Sequence, residues 1–257
     1  MPFVVFCQPR TGSYHLVSLL GSAPDIVCHG EAFKPGRIEL RPEALAALGL
    51  GPDDIARRNA DPVGFVERLH ALSTPSAILG FKLFVNHVVA HKGLRRAVLH
   101  APAWRKLVLQ RDPVRTYASR LRAEQTGVWT LPVGRSHASE LLHAPVRFEA
   151  AAFEKHLQEH EKFRRLVDEA AAVPGNPVLR LDYDDLLQDA PGEEGAGGLA
   201  AALRFVGSAA APGALRSTLQ RQYTADFRAG FANWPEFEAH LLARGLAVPA
   251  GDKTHDS

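Results

Sequence analysis

Cysteine is scarce: Cys7 and Cys28 are the only two in 257 residues. They make no disulfide framework and no zinc spacing. Each ends a short apolar run, so both read as small buried hydrophobes suited to a reducing compartment. Long apolar runs are missing too, and none approaches the ~20 residues of a membrane span. Met1 leads straight into a strand rather than a charged leader, and a cytoplasmic location is expected. Charge of one sign is not concentrated either. The 30 Lys and Arg stand against 28 Asp and Glu, for a formal net charge of +2. Without a dense basic stripe a nucleic-acid partner is not expected, although a pocket for a small polyanion needs only a few basic side chains. Internal repeats are absent.

What is present suits one large α/β domain over residues 1–248 with a disordered polar tail at 249–257. Phe3 to Cys7 is a continuous apolar run typical of a parallel strand buried on both faces. A turn at Gln8 to Gly12 and a helix from about Ser13 to Leu20 follow, then a short strand at Asp25 to Cys28. Residues 34–61 are rich in Pro, Gly, Arg and Asp and predict at most one helix, near Glu43 to Ala47. Further helices are predicted at Val63–Leu72, Leu94–Ala101, from Pro113, at Phe148–Ala172, from Asp182 and at about Pro235–Arg244. Ala77–Val85, Arg105–Gln110 and Pro177–Leu181 predict strands. Strands separated by helices imply a P-loop-like three-layer fold, a central mostly parallel sheet flanked by helices.

Two stretches carry chemistry. In the first, a buried strand runs into Pro9-Arg10-Thr11-Gly12-Ser13 and a helix. Such a turn offers backbone N–H groups to an anion, with Arg10 as a charge and Thr11 and Ser13 as hydroxyl donors. The plain alternative is a tight turn eased by Gly12, with Ser13 capping the helix. No Lys follows Gly12, so the Walker pattern is not met. In the second, Arg111 stands at the carboxyl end of a strand, where open α/β sheets bind ligands. Ser119 follows on a helix, off its apolar stripe. An Arg–Asp pair at a helix start with a solvated Ser is the alternative.

Together, P-R-T-G-S-Y-H-L and L-V-L-Q-R-D-P-V-R-T-Y-A-S-R resemble the sulfotransferases that use 3′-phosphoadenosine-5′-phosphosulfate (PAPS), with the bacterial nodulation-factor and glycolipid branch most similar. The resemblance implies that Arg10, Thr11, Gly12, Ser13 and Tyr14 hold the 5′-phosphosulfate. It implies Arg111 and Ser119 for the 3′-phosphate. His29-Gly30-Glu31-Ala32-Phe33 is similar to the family segment carrying the catalytic base, which makes that base Glu31. Gly80-Phe81-Lys82-Leu83-Phe84 is similar to a strand whose Lys lies near the transferred group. Many relatives carry Lys where this chain has Arg10. Arg228 to Trp234 resembles a late loop only faintly.

The implied reaction is in-line sulfuryl transfer from PAPS to a hydroxyl acceptor, with carbohydrate or glycolipid favoured. The product is 3′-phosphoadenosine-5′-phosphate (PAP), and no metal is required. Residues 34–76 and 123–147, with Trp129, His137 and His143, are expected on the acceptor side. An ATP-using kinase of related fold and a non-catalytic PAP-binding module stay open. Read plainly, Glu31 is an exposed loop carboxylate and Lys82 a strand residue reaching the sheet edge. His156-Leu157-Gln158-Glu159-His160 matches an inverted zincin pattern, but its charged surroundings favour a solvated helix face. Asp182, Asp184 and Asp185 suit a helix first turn better than Mg²⁺. Trp104, Trp129 and Trp234 read as core or pocket walls.

Overall fold

The computed structural model describes residues 1–74, 76–91, 93–134, 144–187, 197–219 and 227–249. The chain divides into two compact units, Met1–Gln110 with Phe163–Ser217 and Arg111–Lys162 with Thr218–Ser257. The tail from 250 onward, His137 and His143 lie outside the described residues.

The first unit is built on five parallel strands: β1 (Phe3–Cys7), β2 (Ile26–Glu31), β3 (Ile78–Phe84), β4 (Arg105–Gln110) and β5 (Val178–Asp182). Their order is β2-β3-β1-β4-β5. Every pairing is parallel, more uniform than the expected mostly parallel sheet. The period of two divides β1 between two cores. Phe3, Val5 and Cys7 face a layer built with α1 (Ser13–Gly21), while Val4 and Phe6 face the other. Burial on both faces explains why β1 is apolar throughout.

Residues 34–61 hold two short helices rather than one, α2 (Pro42–Ala47) and α3 (Ile55–Ala60). The second has no apolar stripe to announce it. It docks through Arg58, fully buried, whose guanidinium donates to the carbonyls of Ala32 (3.0 Å) and Lys34 (2.9 Å). α4 (Pro62–Ala71) and the six-residue α5 (Val85–Ala90) follow. The helix expected at 94–101 is a single π turn, Arg95–Leu99, closed by His100 N–H donating to the Arg95 carbonyl at 2.9 Å. It turns both Val98 and Leu99 into the core.

The second unit contains α6 (Pro113–Thr126), capped by Asp112, whose carboxylate accepts from Arg115 N–H at 2.8 Å. Residues of α7 (Ala150–Ala171) are divided between the two units. α8 (Tyr183–Leu187) and α9 (Gly198–Val206) belong to the first unit, and α10 (Trp234–Ala243) to the second. Phe148, Phe153, Phe231 and Phe237 form the core of the second unit with Tyr117. Among the described residues no helix is long and apolar enough to cross a membrane.

Candidate active site

The turn after β1 places Arg10 at φ 69°, left-handed backbone that costs a non-glycine residue about 1 kcal/mol. Strain of this kind gathers at ligand-binding turns. Thr11 is buried, and its hydroxyl donates to the Gln8 carbonyl at 2.9 Å, closing the turn. Gly12 at φ 79° is the N-cap of α1, and no side chain caps that helix. The capping role considered for Ser13 is therefore corrected: Ser13 is already inside the first turn. A Cβ on Gly12 would lie 2.0 Å from the Tyr183 ring, so packing as well as backbone conformation demands glycine. Below the turn, burial pushes the Cys7 thiol up to about 11 against the opposing pull of Lys82, Ser13 and Thr11, and it stays protonated at neutral pH.

Lys82 is fully buried, so the reading of a lysine reaching the sheet edge is overturned. Its ammonium lies 3.0 Å from Glu31 Oε1 and 2.8 Å from the centroid of the Tyr14 ring. The contact with Glu31 is an ion pair rather than an aligned hydrogen bond, since among the described residues Nζ has no hydrogen-bond partner of good geometry. Burial lowers the Lys82 pKa and the Glu31 carboxylate resists that shift.

Glu31 is the last residue of β2 and is nearly buried, not an exposed loop carboxylate. Its placement depends on a bulge. Along β2 the register runs His29 opposite Phe81 and then Glu31 opposite Lys82, skipping Gly30. Without the skip Glu31 would point to the opposite face of the sheet. The bulge turns it onto the Lys82 side, under α1. There Glu31 Oε1 accepts from the Tyr14 hydroxyl at 2.8 Å. His87 of α5 lies 3.7 Å from Glu31 Oε2, and burial followed by the Lys82 charge lowers its pKa to about 3, so it is neutral.

Glu39 had no signal in the sequence, because it sits in a stretch without pattern eight residues past Glu31. Its carboxylate accepts from the Tyr14 hydroxyl (2.9 Å), from Glu31 N–H (3.0 Å) and from Lys34. Burial would raise its pKa, but the donors Lys34, Glu31 N–H and Tyr14 outweigh that and hold it low. Gly30 permits the approach, since a Cβ there would lie 2.8 Å from Glu39 Oε2. The structure thus brings Arg10 to Tyr14, Glu31 and Lys82 into the first unit and adds Glu39 and His87 to them.

Comparison with known proteins extends the likeness seen in the two motifs. The chain is 25% identical over 254 residues to nodulation protein H of Rhizobium tropici, covering 93% of this chain and 89% of that protein. The likeness therefore runs through nearly the whole length, not the motifs alone. The sulfotransferase resemblance of the two motifs thus sits within a likeness that spans the chain. No family model matches it. Solved structures with partial likeness include a sulfotransferase from Alicyclobacillus acidocaldarius, 16% identical, with 95% of this chain and 92% of that one covered and a TM-score of 0.49. Retinol dehydratase in complex with retinol and PAP is 14% identical at a TM-score of 0.37, with 95% and 78% covered.

The other residues of the sulfotransferase-type reading, Arg111 and Ser119, belong to the second unit and are half-buried. Arg111 follows directly on β4, and Ser119 lies on α6 beside the buried Ala118. The solvated face proposed for the H-x-x-E-H stretch is corrected. His156 is buried, and His156 Nε2 and His160 Nε2 both lie at Thr116 Oγ1, at 3.1 and 3.0 Å. The Thr116 hydroxyl donates to the Pro113 carbonyl at 3.0 Å, and His156 Nε2 lies 3.0 Å from the same carbonyl, so hydroxyl, imidazoles and carbonyl form one hydrogen-bonded cluster. With Nε2 of both rings engaged this way, the pair is a structural contact. Among the described residues no cluster of three His, Cys, Asp or Glu could hold a metal ion. Trp104 is core and Trp234 is packed against the second unit's core, as expected, but Trp129 is exposed.

Proposed function

We propose that this protein transfers the sulfuryl group of PAPS to a hydroxyl acceptor, a carbohydrate or glycolipid by family likeness, within one domain over residues 1–248. The observation that supports this most is the buried Lys82–Glu31 pair beside the turn of Arg10 to Ser13. The residues present fit a phosphosulfate: a left-handed Arg10, the first-turn amides of α1 and a buried ammonium. PAPS supplies the activated sulfuryl group, and the chain supplies position and charge. Lys82 and Arg10 stabilise negative charge growing on the leaving phosphate in a site of low dielectric. Glu31, 3.0 Å from the Lys82 ammonium, takes the acceptor's hydroxyl proton. Arg111 and Ser119 are assigned to the 3′-phosphate on the family resemblance.

Calorimetric titration with PAP, run beside ATP and ADP, tests the donor assignment. Binding of PAP that ignores ATP and weakens in Arg10→Ala and Arg111→Ala is expected. A folded protein that does not bind PAP overturns the reading, and binding of ATP in its place points to the kinase.

A further inference from the structure

We infer that Tyr14 relays the proton collected by Glu31 outward to Glu39, so that Glu31, Tyr14 and Glu39 work as one acid–base unit. This rests on the reading of Glu31 as general base. A base that is nearly buried must lose its proton before the next turnover, and its neighbours allow few routes. Lys82, 3.0 Å away, is the cation of the ion pair and has no room for a further proton. His87, 3.7 Å away, is buried beside that cation, which disfavours a positive imidazole. The Tyr14 hydroxyl remains, 2.8 Å from Glu31 and 2.9 Å from Glu39.

A phenol has one hydrogen and cannot donate fully to two carboxylates at once. When both are ionised, the hydrogen is contested. When Glu31 becomes neutral, it settles on the charged Glu39. The acceptor's O–H bond breaks as a Glu31 O–H bond forms. Glu31 then donates through its carboxyl oxygen to Tyr14, after a half-turn of the carboxyl where the proton arrived on the other oxygen. Tyr14 gains that proton as its original hydrogen passes to Glu39 Oε2. No tyrosinate forms, in keeping with burial and two adjacent carboxylates raising the Tyr14 pKa.

Glu39 is suited to release the proton. It is less buried than Glu31, and the donors around it favour its ionised form. It also lines an open pocket of about 650 Å³ together with Gly30, Arg37, Arg41 and Leu45. Water in that pocket is the final acceptor. Gly30 therefore has two tasks: its bulge aims Glu31 inward, and its missing side chain lets Glu39 reach Tyr14.

The test has two arms. In the full chain labelled with ¹³C at the glutamate carboxyls, the resonances of Glu31 and Glu39 are assigned with Glu31→Gln and Glu39→Gln. Transfer from H₂O to D₂O should shift both resonances, and Tyr14→Phe should reduce both shifts, leaving at Glu39 the part due to Lys34 and Glu31 N–H. A Tyr14-dependent shift at only one carboxylate overturns the relay. In turnover of PAPS with an alcohol acceptor, Tyr14→Phe and Glu39→Gln should slow later turnovers at least about tenfold more than the first. Added imidazole should restore later turnovers in Tyr14→Phe by carrying the proton itself. An equal fall in first and later turnovers without imidazole rescue means that Tyr14 only positions Glu31, and overturns the relay. A wild-type protein that moves no sulfuryl group defeats the functional reading instead, and the isotope shifts then still decide whether the phenol joins the two carboxylates.

Discussion

Lys82 and Lys106 are both fully buried, on strands either side of β1, yet their surroundings assign them different work. Lys106 donates to the carbonyls of Ala101 (2.6 Å) and Trp104 (2.7 Å) and to the Asn176 side chain. It ties the β4 entrance to the loop before β5. Burial lowers its pKa to about 8. Among the described residues Lys82 has no such set of acceptors, but meets a carboxylate and two aromatic faces. Lys106→Met leaves buried carbonyls unpaired and should cost about 2–3 kcal/mol in denaturant unfolding. On the proposed sulfuryl transfer, Lys82→Met should lower turnover about 10²–10³-fold, because a charge beside the leaving phosphate matters most in the transition state. Glu31→Gln should lower turnover by about 10²–10⁴ while PAP still binds, read from rate and calorimetry together. Equal stability loss in the two lysine variants would contradict this division.

At the scale of elements, the β2 bulge is the decisive local feature. A strict two-residue alternation from Ile26 places Cys28 and Gly30 on one face and Glu31 on the other, away from Lys82. One skipped residue reverses this for Glu31. Gly30→Ala puts a methyl group 2.8 Å from Glu39 Oε2 and 3.3 Å from the Glu39 carbonyl. Turnover in that variant should fall at least about tenfold through lost alignment, while PAP affinity holds. An unchanged rate would show that Glu39 can move without consequence. The helix α3 contributes at the same scale, since Arg58 fixes the chain just after Glu31 by gripping two carbonyls.

For the whole molecule, buried neutral histidines set an acid limit. Burial lowers His29 and His156 to about 4 from an ordinary 6.5. His29 Nδ1 accepts from Arg41 N–H at 3.1 Å, which requires the neutral ring. Between pH 6.5 and 4 the unfolded chain binds more protons than the folded one, so stability rises with pH across that window. It is fully present above 6.5 and lost as pH falls towards 4. Each of the two histidines should remove about 2 kcal/mol by pH 5. Urea midpoints measured at pH 7.5 and pH 5 check this, and His156→Gln should reduce the difference. A midpoint that ignores pH would refute it.

The sequence by itself determined the strands, most of the helices and the two motifs, because these are carried by local patterns. β1 is buried on both faces and reads as an apolar run, and Pro113 marks the start of α6. The turn of Arg10 to Ser13 was marked by the apolar strand that it follows, whereas Glu31 and Lys82 were singled out only by the family resemblance. Glu39, Arg58 and the contact of His156 with Thr116 were not legible. Each acts through a partner far along the chain, and no periodicity encodes which side chain a loop residue will meet. Tertiary structure alone decided that Glu31 turns inward, since that depends on how β2 registers against β3. It also decided that Tyr14 stands between two carboxylates, because the turn from β1 into α1 and the return of the chain at Glu39 must close on each other in space.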